Sequence, residues 1–144
     1  MFLNFLDGFF DKYRDEGLLL LRIGFGFMFV MHGAPKMFGG PEKWKMLGMA
    51  MGTYGITFLP VFWGFMAALA EFVGGILLAL GLLFRPVCMI MLFNMFIAAS
   101  MHLSKGQGFD VASHAIEDGI VFLALILTGP GKYTPAGIFR FHKD

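Results

Sequence analysis

Charge is scarce in this chain. Its 144 residues include 11 lysines and arginines and 10 aspartates and glutamates, 15% together, where soluble domains carry about 25%. So few charged side chains cannot cover a surface that faces water. An ordinary soluble domain is excluded, and a lipid bilayer is the expected partner. The net charge of +1 supplies no basic field, so no nucleic-acid partner is expected. Cysteine is scarcer still, with Cys88 the single one. That excludes an intramolecular disulfide, and with it thiol–disulfide exchange through a CxxC pair. The stretch "MFLNFLDGFFDKYRDEG" lacks the order of a secretory signal, because its charges follow the apolar residues. Phe2, Phe5, Leu6, Phe9 and Tyr13 share one helical face there, and Asp7, Asp11 and Asp15 another. This is the pattern of a short helix lying on a membrane.

What the chain has instead is apolar length. Hydrophobic residues make up 58% of it. Four stretches, about residues 17–33, 58–84, 86–103 and 114–129, approach the roughly 20 residues that a spanning helix needs. The expected fold is all-α: an integral membrane four-helix bundle with amphipathic interfacial helices, residues 1–144 forming one four-span domain. Only "RP" separates the second and third stretches, and Pro86 suits a helix's first turn. Pro35 disfavours helix at Ala34, and Gly39-Gly40-Pro41 reads as a turn. Trp44, Leu47, Met51 and Tyr54 then recur at helical spacing, which predicts an interfacial or partly re-entrant helix. Alternating spans put Lys12, Arg14, Arg85, Lys132, Arg140 and Lys143 on one side, against Lys36, Lys43, Lys45 and Lys105 on the other. The excess of basic residues predicts both termini in the cytoplasm. In the second stretch Gly64, Ala67, Ala68, Gly74, Gly75 and Gly81 lie around Glu71, so that stripe is expected to face the bundle.

Ionisable residues inside spans are costly and face protein or water. Here they are Arg22, His32, Glu71, His102, His114, Glu117 and Asp118, with Asn94 adding an amide. Arg22 keeps its proton, so it must pair or snorkel. Glu71 lies near mid-membrane. A buried Arg22–Glu71 ion pair is the expectation, beside two alternatives: Glu71 in proton or ligand chemistry, and Arg22 reaching Asp15 or Glu16. Span direction places His32, His102 and His114 at one level, with Glu117 a turn deeper and Lys36 just outside the first span. These residues either mark the membrane boundary or form a site. A quinone head group needs donors and acceptors at its carbonyl oxygens and a path for protons, which histidine and carboxylate supply. A b-type haem would take two facing histidines from His32, His102 and His114, and a transition metal could use the same ligands. No HxxxH spacing occurs locally, so the metal assignment stays unknown. Methionine, with 12 residues, suits Cu(I) or plain apolar filling; the residues are scattered through all segments.

The motifs "HGAPKMFGG", "AEFVGGILLALGLLFRP", "KGQGF" and "IEDGIVFLALILTGPGKYT" stand in this order along the chain. In that order and spacing the chain resembles the DoxX family of small bacterial inner-membrane proteins, from Leu18 to Thr134. The matching positions are Arg22, His32, Gly33, Lys36, Glu71, Gly75, Arg85, His102, Glu117, Gly129 and Gly131. The chain departs from the family after "GPG", where Thr134 replaces a serine and Ala136 an aspartate. The resemblance implies a quinone-linked redox component or an accessory subunit of a membrane oxidoreductase. Family members include a small subunit of a terminal quinol oxidase and of thiosulfate:quinone oxidoreductase, and others belong to complexes for oxidative-stress defence. Redox protein partners or a homo-oligomer are expected. The expected catalytic residues are His32, His102 and Glu117, and Lys36 and His114 complete the cofactor-binding set. A non-catalytic scaffold or assembly factor is the alternative. A small-solute or metal carrier is the third reading.

Overall fold

The structure is a computed structural model and describes residues 10–135. Residues 2–9 of the expected surface helix, and Ala136, lie outside the described residues. Among the described residues five α-helices follow in order: α1 (Arg14–Met37), α2 (Gly40–Gly48), α3 (Pro60–Leu80), α4 (Phe84–Ser104) and α5 (Phe109–Thr128). A 3₁₀ turn, Met49–Tyr54, extends α2. No strand occurs among the described residues. All but α2 are long and apolar enough to cross a membrane, which places the chain in a lipid bilayer.

The helix ends differ from those expected. Helix α1 runs through Pro35 and stops only at Met37. A proline this close to the end removes one backbone donor and leaves the last turn intact, so Ala34 stays helical. Lys36 is therefore inside the last turn of α1 and not beyond it. Helix α3 stops at Leu80 because Gly81 adopts φ +70°. The N–H of Leu82 then donates to Leu77 O (2.9 Å) and that of Gly81 to Leu78 O (3.0 Å), a Schellman termination. The turn thus falls at Gly81–Leu83, upstream of "RP", and α4 already begins at Phe84. Helix α5 starts at Phe109, five residues before the expected position.

Helix α1 packs chiefly on α3, and α4 on α5. The α1–α3 contact is close because glycines line it. A Cβ at Gly33 would lie 2.5 Å from Phe72 N, and one at Gly26 would lie 2.5 Å from Gly75 O. Small residues at such crossings let backbones meet, which is how helices associate in lipid. Helix α2 lies as closely on α3, with Gly48 against Pro60 O and Gly64 against Trp44 O. Phe29 of α1 and Phe122 of α5 join the two halves, with ring centroids 5.1 Å apart, and Phe25 packs on both. Leu78, Cys88, Met91 and Leu125 fill the centre.

The close crossing makes a sharp expectation. Gly33→Leu must push α1 off Phe72 and should cost about 1–3 kcal/mol. Gly24→Ala, where a Cβ meets nothing within 4 Å, should be neutral or stabilising by up to about 1 kcal/mol. Thermal unfolding midpoints in detergent compare the two directly.

Candidate functional site

Glu71 sits midway along α3 and is only 5% exposed. Its helical face is the one lined with Gly64, Ala68 and Gly75, so it points at its neighbours and not at lipid. From α1, Lys36 Nζ donates to Glu71 Oε2 at 2.5 Å. From α4, Asn94 Nδ2 donates to Glu71 Oε1 at 3.2 Å. One carboxylate therefore ties three helices. Lys36 is placed in turn by its own helix end, whose carbonyl at Lys36 accepts from Trp44 Nε1 of α2 at 3.0 Å.

The expected Arg22–Glu71 pair is not formed. The antiparallel register of α1 and α3 explains why: Gly33 meets Phe72, Gly26 meets Gly75, and Arg22 therefore arrives at Gly81. Arg22, 3% exposed, donates through Nη1 to Pro130 O at 3.2 Å. It does not snorkel to Asp15 or Glu16 either. Those acids hold the segment after α5 instead. Asp15 Oδ1 accepts from Lys132 N at 3.1 Å, and Tyr133 Oη donates to Glu16 Oε1 at 2.6 Å. That bond to Glu16 raises the Tyr133 phenol above its ordinary pKa.

Beside the Lys36–Glu71–Asn94 group opens a cavity of about 460 Å³, within the range of small-molecule sites. The polar triad forms its floor, and α2, α3 and α4 form its walls. His102, Lys105 and Gln107 stand at its rim, where a Schellman turn at the end of α4 brings Gln107 back over His102. His102 Nδ1 and Gln107 Oε1 are 2.5 Å apart, which orients the imidazole. Met46, Met51, Met66 and Met101 line the walls together with Trp63 and Phe93. Thioethers are adaptable and favour contact with aromatic rings. Scattered in sequence, these four methionines meet only in the fold.

The residues expected at one level separate into two groups. Lys36 and His102 line the cavity. His32, His114 and Glu117 do not; they are exposed on α1 and α5. Their electrostatic influence, with that of Glu71, reaches Asp118 on α5. The three histidines thus do not converge on one pocket. Among the described residues no group of three or more His, Cys, Asp or Glu is arranged to hold a metal. Asn94, Lys105 and Gln107 were not among the expected site residues. Asn94 carried a readable signal, being an amide within an apolar span. Lys105 and Gln107 belong to the "KGQGF" motif that follows the third stretch, which marks a helix end without assigning either side chain a role.

A family model described as DoxX matches residues 17–103. An uncharacterized protein of Haemophilus influenzae is 33% identical over 127 residues, covering 84% of this chain and 89% of that protein. No solved structure matches the chain significantly.

Two predictions follow from this geometry. Lys36→Met strands the Glu71 carboxylate and should cost about 1.5–3 kcal/mol. The double variant Lys36→Met/Glu71→Leu should be less destabilised than the sum of its singles, a coupling read from a thermal double-mutant cycle. Arg22→Met in the same background should leave that coupling unchanged; its disappearance would restore Arg22 as the partner. At the other end, the raised Tyr133 pKa means that folding favours the neutral phenol. Its contribution is full below the ordinary phenol range and fades as pH rises through the raised value. Absorbance titration of the wild type against Tyr133→Phe should show the missing tyrosine as one that ionises late.

Proposed function

The chain belongs to the DoxX family of membrane proteins, and from that premise we propose that it is a quinone-linked redox component or an accessory subunit of a membrane oxidoreductase. One observation carries this reading: a cavity with a hydrogen-bonding floor and an apolar, methionine-rich wall opens beside a charged residue buried in the bundle. A bound quinone supplies reversible electron and proton transfer. The chain's own residues supply the rest. Lys36 has three ammonium donors and uses one on Glu71, so others remain for a carbonyl oxygen. Asn94 gives one amide hydrogen to Glu71 and keeps a second donor and its own carbonyl. His102, oriented by Gln107, offers its other ring nitrogen towards the cavity. The Glu71 carboxylate can take up a proton at either oxygen and pass it on when Lys36 moves. Met66, Met101 and Phe93 offer apolar faces on which a flat ring can lie.

The excess of basic residues that the sequence assigns to the side of Arg14 and Arg85 supports a bacterial inner membrane location with both termini in the cytoplasm. The cavity would then open towards the outer face. His32, His114 and Glu117 lie exposed on α1 and α5, and charged groups at membrane depth seek protein cover. A redox protein partner or a second copy would provide it. The scaffold reading draws on a different observation, that both Glu71 oxygens are already satisfied within the bundle.

Purification in mild detergent followed by organic extraction and chromatography tests the proposal. Quinone should co-purify near one equivalent and drop markedly in His102→Ala and Asn94→Leu. A visible spectrum recorded on the same sample reports any haem. Absence of quinone from wild-type protein taken from quinone-replete membranes, with the fold intact, favours the scaffold.

A further inference from the structure

The polar cavity does not end at its floor. A second hollow of about 260 Å³ lies between α3 and α4. It shares Met66, Ala70 and Ile90 with the first, so the two adjoin at these side chains. Its walls come from Leu69, Val73 and Leu77 on α3 and from Val87 and Met91 on α4. Met66, Ala70, Val73 and Leu77 stand at i, i+4, i+7 and i+11, one face of a helix. The hollow is therefore a groove along α3, about 16 Å long at 1.5 Å per residue. Every residue that lines it is apolar, so it offers nothing to water, to an ion or to a head group.

From this adjacency we infer that the α3–α4 groove seats the isoprenoid tail of a quinone whose head lies in the polar cavity, and that the ligand reaches the site sideways from the bilayer. The inference rests on the quinone reading above and adds the route and the tail's position. An occupant with its apolar part in the groove must have its polar part at the Lys36–Glu71–Asn94 floor, because the two hollows meet at Ala70. The floor is already charge-balanced, Lys36 against Glu71. A neutral carbonyl head fits at that floor, and a phospholipid phosphate would instead seek Lys105 at the rim, an occupant that the test below distinguishes. Val73 and Leu69 are half-exposed, so the groove is open along its side to the hydrocarbon that surrounds α3 and α4.

The test uses the purified full-length protein in detergent, with quenching of its tryptophan fluorescence as readout, since Trp63 lines the polar cavity. Menadione is the tailless probe and menaquinone its isoprenoid-tailed counterpart. Val73→Phe fills the groove about one turn of α3 beyond Ala70, where no residue of the polar floor lines it. It should weaken menaquinone by at least about tenfold while menadione changes little. Leu77→Phe, farther along, is a second variant should the first fail to fold, as judged by circular dichroism and thermal unfolding. Equal effects on both probes, or none on either, overturn the tail assignment and leave the quinone reading standing. A phospholipid found retained in the groove by mass spectrometry of the intact complex also overturns it. If neither probe binds the wild type, the quinone reading itself falls, and the tail assignment with it.

Discussion

A carboxylate buried in a membrane bundle is the constraint around which this fold is arranged. Glu71 sits midway along α3, where water is scarce, and an uncompensated charge there costs several kcal/mol or more. Compensation must come from neighbouring helices, since α3 itself is apolar. It comes from Lys36 and Asn94 together. That requirement is met by the register that the glycines set between α1 and α3 and by the rotation of α4. The glycines at the α1–α3 crossing then allow the backbones to come near enough for a lysine at the end of one helix to reach the middle of the other. Helix α2 completes the arrangement from above, because Trp44 engages the carbonyl of Lys36 while Gly48 and Gly64 let α2 lie flat on α3.

The opposite end is secured by different means. Arg22 cannot shed its charge, and it reaches a backbone carbonyl at Pro130. It is held there by the tight turn at Gly81, where a side chain would collide with the guanidinium. Asp15 and Glu16 at the start of α1 bind the segment that follows α5. Arg85 Nε donates to Ile126 O at 3.1 Å, drawing α4 and α5 together at the same level. One end is thus closed by charged clasps and backbone acceptors. The other keeps a cavity beside its ion pair. A rigid base below and an open pocket above suit a site that must admit a ligand without loosening the bundle.

Much of this was legible in the residues. The scarcity of charge and four long apolar runs predict a four-helix membrane bundle, and the structure has four helices of the required length. The interfacial segment after Gly39 is helical with its Trp facing the bundle, as the spacing of Trp44 and Leu47 implies. The ion pair was misread for a specific reason. The expected pair rests on Arg22 needing a partner and Glu71 lying near mid-membrane, and neither fact fixes how α1 registers on α3. The glycines carried the missing information: Gly26 and Gly33 on α1 answer Gly75 and Phe72 on α3, a register that carries Arg22 past Glu71 to Gly81. Pro35 predicts an earlier end for α1 than Met37, whereas a proline near a C-terminus removes one donor and still lets the last turn close. The cavity itself was not legible, since it arises from methionines far apart in sequence and from a turn that folds Gln107 back on His102.

The exchange of arginine for lysine at Glu71 changes what the pair can do. An arginine fork would hold both carboxylate oxygens in a fixed plane and would stay charged throughout. It would seal the carboxylate as a structural element. Lysine binds through a single nitrogen on a flexible stem, and here it contacts only Oε2, while a neutral amide holds Oε1. The Lys36 side chain is also about a third exposed, at 31%, and it lines the cavity. A pair built in this way can open towards the cavity without disturbing the α1–α3 contact, because that contact rests on Gly26 and Gly33 and not on Lys36. Helix packing and carboxylate reactivity are therefore carried by separate residues. That separation leaves the Lys36–Glu71 contact beside the cavity while the α1–α3 crossing stays closed on its glycines.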